Sequence, residues 1–158
     1  MIEPTILNFE GAVLCGASAS MTLQSFTPWT LWPRVMPRLS QIGNRTNQDL
    51  ISLRYFDSIP RFGPEANPAF TYWGGVEVAA PNKGFEHLEI PAGTYAVFHY
   101  KGLSSDSTVW RYIYSRWLPN SEWALASLIQ CLLQSYGHCT LAATRQPSKP
   151  KRGTFLTQ

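Results

Sequence analysis

Apolar and polar positions alternate through the middle of Asp49 to Phe56 (DLISLRYF), from Ile51 to Tyr55, the period of a strand with one buried face. A Pro/Gly/Asn-rich loop follows (SIPRFGPEANP), and then a second alternating run, AFTYWGGVEV, at residues 69–78. On that strand Phe70, Tyr72, Gly74, Val76 and Val78 share one face, and Trp73, Gly75 and Glu77 share the other. PTILNFEGAVLCGASA (4–19) reads as an extended segment leading into a strand. A turn at PNKG precedes FEHLEIPAGTYAVFHYKG (85–102), which reads as two strand segments bent at Pro91-Ala92-Gly93.

Elsewhere the period lengthens. In TPWTLWPRVMPRLSQIGN, Trp32, Val35, Met36, Leu39 and Ile42 follow helical spacing, with Thr30 as cap and Gly43-Asn44 as stop. Pro33 fits the first turn, whereas Pro37 inside the helix costs about 3 kcal/mol, which predicts a bend or a helix in two pieces. In STVWRYIYSRWLP, Trp110, Ile113, Tyr114 and Trp117 recur at i, i+3, i+4 and i+7, and Pro119 is the expected stop. Farther on, Leu125, Leu128, Ile129, Leu132, Leu133 and Tyr136 describe one apolar helical stripe, capped by Asn120 or Ser121 and ended by Gly137. Burying six such side chains is worth about 10 kcal/mol before entropy. The spacing therefore predicts a helix over 122–137 that covers its own sheet or makes a homodimer contact. HCTLAAT after it suits a final edge strand. The order is strand, helix, two strands, then strand and helix again, and each helix carries an aromatic stripe that must meet a sheet. The fold class expected is α+β, an antiparallel sheet with helices on one side.

Composition changes the picture in one respect. The formal charge of +3 comes from the tail: Arg145, Lys149, Lys151 and Arg152 are basic, while residues 1–144 hold nine basic groups against ten acids. A near-neutral body with no basic stripe argues against direct nucleic-acid binding. The boundaries expected are one ligand-binding domain over 1–144 and a basic, disordered tail over 145–158. Three cysteines without CxxC spacing indicate neither a disulfide framework nor a metal site. The start has no basic n-region followed by an apolar run, and no stretch approaches the roughly 20 apolar residues of a membrane span. A cytoplasmic protein that does not enter membranes is the expectation.

Trp73 and Glu77 on one strand face offer what a flat organic cation needs, an aromatic plane and a counter-charge. Tyr114 and Trp117 of the second helix can close such a cleft, with Phe98 and Trp110 completing the candidate set. Tyr95 and Phe98 point oppositely from their strand, so one of them can line it. The competing readings stay open: Trp73, Tyr114 and Trp117 as core, and Glu77 as a surface carboxylate paired with Arg54 or Arg116. His87 and Glu89 share a strand face but make no triad, and no constellation for catalysis, cofactor or metal is found.

LWPRVMPRLSQI, FTYWGGVEV, IPAGTYAVFHYKG and IYSRWLPNS occur in the order and spacing of the GyrI-like domain, which the chain resembles over roughly residues 10–121. That bacterial family includes the effector-binding domains of AraC-type and multidrug-sensing transcription regulators. The resemblance implies two βαββ halves related by a pseudo-twofold, with a central cleft for amphipathic, often cationic aromatic compounds. Unlike the family's regulators, the sequence shows no DNA-binding helix-turn-helix beside the domain, so a stand-alone binding module is the expectation. Two alternatives come with it: a hydrolase of electrophilic aromatic natural products using the same cleft, and an interaction partner of gyrase or a regulator through the C-terminal helix. The chain departs from the family after Ser121. The family's last strand carries a pocket glutamate, and no acid follows Glu122 here, so the second half is expected to be altered at its C-terminus.

Overall fold

The computed structural model describes residues 3–56, 65–99, 108–133 and 138–145, with side chains described outside 126–145. The strands are β1 (Thr5–Phe9), β2 (Ala12–Thr22), β3 (Ile51–Phe56), β4 (Ala69–Val78), β5 (Glu86–Ile90), β6 (Gly93–His99), β7 (Trp123–Leu133) and β8 (His138–Arg145). They pair antiparallel in the order β1-β6-β8-β7-β3-β4-β2-β5. Outward from the β7–β3 seam, the two sides repeat one another: β8, β6 and β1 on one, β4, β2 and β5 on the other. Each half also lends its leading strand to the other, β1 to β6 and β5 to β2. The expected α+β architecture of two related halves is present, with this exchange of outer strands added.

The first helical region is broken, as its prolines require. A 3-10 turn (Pro28–Thr30), one α-helical turn, α1 (Trp32–Val35), and a second 3-10 stretch (Met36–Gln41) follow one another. The break at Pro37 relieves the carbonyl that a missing N–H would orphan. The second region is α2 (Thr108–Tyr112), a π-helical turn (Ile113–Trp117) and α3 (Leu118–Asn120). Pro119 therefore does not end the helix. It lies in a last short turn reached through the wider π turn, and the chain leaves at Ser121, whose Oγ donates to the Leu118 carbonyl at 3.1 Å.

Residues 123–133 are strand, not the helix that the 125–136 spacing predicts, and that helix cannot carry a homodimer contact or a docking surface. The physical reason is tertiary. β7 fills the place between β3 and β8, and without it the buried β3 would lose the ladder from Ile51↔Leu133 to Tyr55↔Ile129. A nearly continuous apolar run suits a strand as well as a helix, so periodicity alone does not separate the two. β8 is likewise strand, but interior, between β6 and β7, rather than at an edge. Residues 146–158 of the expected tail lie outside the described residues.

Both helical regions cover one face of the sheet. There Leu31 and Val35 pack on Ala17, Met21, Phe56, Phe70 and Tyr72, and Val109, Trp110 and Ile113 pack on Ala96 and Phe98. On the inner, helix-free face Leu14, Ile51, Leu53, Ile90 and Tyr95 meet, with Phe9 and Trp73 against them. Strands from both ends of the order contribute to that cluster, so the sheet curls toward this face. Phe9 and Tyr95 touch edge to face at 5.4 Å.

The glycine pair in AFTYWGGVEV is a backbone contact. Gly16 opposes Gly75, and a Cβ on either would overlap the facing strand, at the Gly74 carbonyl or the Cys15 carbonyl. Gly74 points the other way, where a Cβ would come within 3.2 Å of Leu31 and Trp32.

Candidate functional site

The alternation predicted for β4 holds. Phe70, Tyr72, Val76 and Val78 are buried on the helix-covered face, and the Tyr72 hydroxyl accepts from Trp32 Nε1 at 3.3 Å. Trp73 and Glu77 lie on the inner face, but their surroundings differ. Trp73 is half-buried against the Leu14, Ile51, Leu53, Ile90 and Tyr95 cluster. Glu77 stands at the rim, where its Oε2 accepts from Asn47 Nδ2 at 3.4 Å. Among the described residues no guanidinium pairs with it. Arg54, one of the partners weighed from sequence, is opposite Tyr72 and so points to the helix face. It is 7% exposed there, with its guanidinium carbon 4.5 Å from the Phe26 ring centre, 5.3 Å from Phe70 and 6.0 Å from Trp110.

An opening of about 480 Å³ lies beside Glu77, with Glu10 and Glu89 at its walls and Thr46 among its polar groups. Among the described residues no aromatic ring lines it. Carboxylates without rings do not make a cation–π site, and among the described residues none of these groups gathers as a metal-binding set.

The other four candidates belong to the helix side of the second half. Phe98 and Trp110 are core, at 0% and 2% exposure, and Tyr114 and Trp117 pack on the same cluster. Trp73 and Glu77 therefore do not share a cleft with Phe98, Trp110, Tyr114 and Trp117; the sheet separates the two groups.

A groove of about 580 Å³ opens at the outer end of this second cluster. Tyr112, Trp117 and Trp123 supply aromatic walls, Glu3 and Glu122 supply carboxylates, and among the described residues Arg116 is the one basic residue in its lining. Its construction follows from local structure. A π turn bonds residue i to i+5, so Tyr112 and Trp117, five apart, come to one side where a regular α-helix would rotate them away. Phe98 holds the Trp117 indole edge-on at 5.0 Å. Ser121 turns the chain out of α3, and its Oγ accepts from the Trp123 N–H at 3.1 Å, which directs Trp123 back over the helix end. Glu3 arrives with the segment leading into β1.

Of the residues singled out from sequence, the groove uses Trp117. Tyr112, Trp123, Glu3 and Glu122 were not foreseen. Trp123 and Glu122 sit just past the Asn120-Ser121 cap and were absorbed into the predicted helix, while the i, i+5 relation of Tyr112 and Trp117 has no helical signature.

The backbone also locates the missing acid. Glu77 opposes Leu14 on β2, and in the other half Ala142 opposes Tyr95 on β6. Leu14 and Tyr95 each sit three residues past the two-residue corner that joins their strand to the preceding one, and both enter the inner cluster. Ala142 is thus the counterpart of Glu77 on the last strand.

The profile of the GyrI-like small molecule binding domain matches residues 30–131, more than half of the chain. The fold is similar to that of an integron cassette protein from the mobile metagenome of Vibrio cholerae, with TM-score 0.63 at 11% identity over 90% of this chain and 96% of that one. SAV2435 bound to tetraphenylphosphonium is similar at TM-score 0.59 and 11% identity, over 91% and 94% of the two chains. The EcmrR C-terminal domain gives 0.57 and 14%, over 92% and 99%. At these identities the likeness is one of fold. No curated protein matches the sequence.

Proposed function

We propose, from the premise that this chain belongs to the GyrI-like small-molecule-binding family, that it binds hydrophobic aromatic cations in the groove walled by Trp117 and Trp123. The observation that carries this reading is the pairing of three aromatic side chains with two carboxylates around one opening. A ring face attracts a cation by about 0.5–2 kcal/mol, more as water is excluded, and the carboxylates favour the charged guest over a neutral one of equal shape. Among the described residues no helix is long and apolar enough to cross a membrane. The bound tetraphenylphosphonium of SAV2435, a protein of like fold, supports the choice of ligand class.

The test is titration of the chain with tetraphenylphosphonium and with neutral triphenylphosphine oxide, read by tryptophan fluorescence. Saturable quenching that is stronger for the cation, with the cation recovered unchanged, is expected. Equal binding of both compounds, or of neither, overturns the proposal.

A further inference from the structure

The groove is built from two parts of the chain that lie far apart in sequence. Tyr112, Trp117 and Trp123 come from the second helical region and the start of β7, whereas Glu3, Pro4 and Ile6 come from β1 and the residues just before it. Among the described residues β1 is an edge strand with β6 as its one neighbour. A short, exposed strand at an edge opens locally at lower cost than a central one. β1 is anchored at its far end. There Phe9 packs into the inner cluster and meets Tyr95 edge to face, and Asn8 Oδ1 accepts from the Thr94 hydroxyl at 3.1 Å. At the groove end Thr5, Ile6 and Leu7 are exposed, and among the described residues no side-chain hydrogen bond ties down residues 3–7. β5, the strand at the opposite edge, is fixed at both ends. Ile90 is buried at one, and at the other the Glu86 carboxylate accepts from the Ser18 N–H and Oγ at 2.9 and 2.8 Å.

We propose that β1 is a clasp for the groove: its Thr5–Leu7 end docks on β6 more tightly when a cation lies between Glu3 and the two indoles. The inference rests on the reading of the groove as the cation site. A guest that touches both Ile6 and Trp117 bridges the strand to the helical region, so it favours the docked strand over the open one. The contact of the guest with the Glu3 carboxylate adds to this preference, since it too exists only in the docked strand. Linkage then requires that occupancy hold the strand down. For a guest that the open form does not bind, the factor reaches about a hundredfold at a ligand concentration of 100 Kd. Gly11, at φ +91°, forms the corner about which the strand opens.

Hydrogen exchange of the full chain, with and without tetraphenylphosphonium and read beside tryptophan quenching, tests the clasp. In the free chain the amides of residues 5–7 are expected to exchange faster than those of 86–90. Saturating cation is expected to slow 5–7 by about tenfold or more and to leave 86–90 as they were. Quenching without slowing of 5–7 overturns the clasp and leaves the groove reading standing. Absence of quenching overturns both. Exchange of 5–7 in the free chain no faster than that of 86–90 overturns the clasp, because the strand then has no local opening for the guest to suppress. Equal slowing of both strands also overturns it, because the guest then stabilises the whole fold and not this edge.

Discussion

Phe98 holds Trp117 edge-on, with ring centres 5.0 Å apart and planes at 87°, so a fully buried residue of β6 sets the wall of a surface groove. The contact links core packing to ligand geometry. Phe98→Ala is expected to lower stability by about 3–5 kcal/mol. Phe98→Leu, which keeps most of the volume, should cost less and still loosen the indole. The check is a denaturant melt of both variants, with dye affinity measured on the folded Phe98→Leu protein.

Trp117→Leu and Trp123→Leu each remove an aromatic face while keeping an apolar side chain. Each is expected to weaken tetraphenylphosphonium by about 2- to 30-fold, the span of one cation–π contact. Calorimetry measures this independently of the lost fluorescence. Unchanged affinity in both variants would place the site elsewhere.

Glu122 and Glu77 separate the groove from the inner face. Glu122→Gln should weaken the cation by about 1.5- to 5-fold, the scale of an exposed ion pair, and added salt should erase the difference. Glu77→Gln, whose opening holds no ring, should leave the affinity as it is. A larger loss for Glu77→Gln than for Glu122→Gln would return the site to the Trp73 face.

Gly16→Ala and Gly75→Ala put a methyl group into the facing backbone. The obstruction is main chain, which cannot swing aside as a side chain can. A loss of about 3 kcal/mol or more, or failure to obtain folded protein, is expected. Gly43→Ala meets nothing closer than 3.6 Å and serves as the tolerant comparison in the same thermal melt.

Cys15 gives a dependence on pH. Its thiol is fully buried beside Ile42, Val76 and Val78. Burial pushes its pKa up from the usual 9.0, against opposing pulls from an Asn82 backbone hydrogen bond and the Arg38 charge. The folded state thus holds the proton more tightly than the unfolded one. The resulting stability is present below about pH 9 and is lost as pH rises through the folded value. Comparing urea midpoints at pH 7 and at alkaline pH should show a decline that Cys15→Ala lessens.

The sequence alone determined the two-faced strands, both aromatic helical stripes and the order in which they come. Period 2 in DLISLRYF and AFTYWGGVEV places each side chain on a face without reference to anything distant, and Tyr72 and Trp73 part company as that period requires. The break at Pro37 is equally local, since it follows from one missing N–H. Tertiary structure decided the rest. WALASLIQCLL satisfies a helix and a strand alike, and the unpaired ladder of β3 made it strand. Trp73 and Trp117 are both plausible ligand walls as residues, but the sheet lies between them. Which aromatics share an opening depends on a π turn, a serine that redirects the chain, and an approach from the N-terminal segment. Local spacing records none of these, because each is a contact between residues that the chain brings together only on folding.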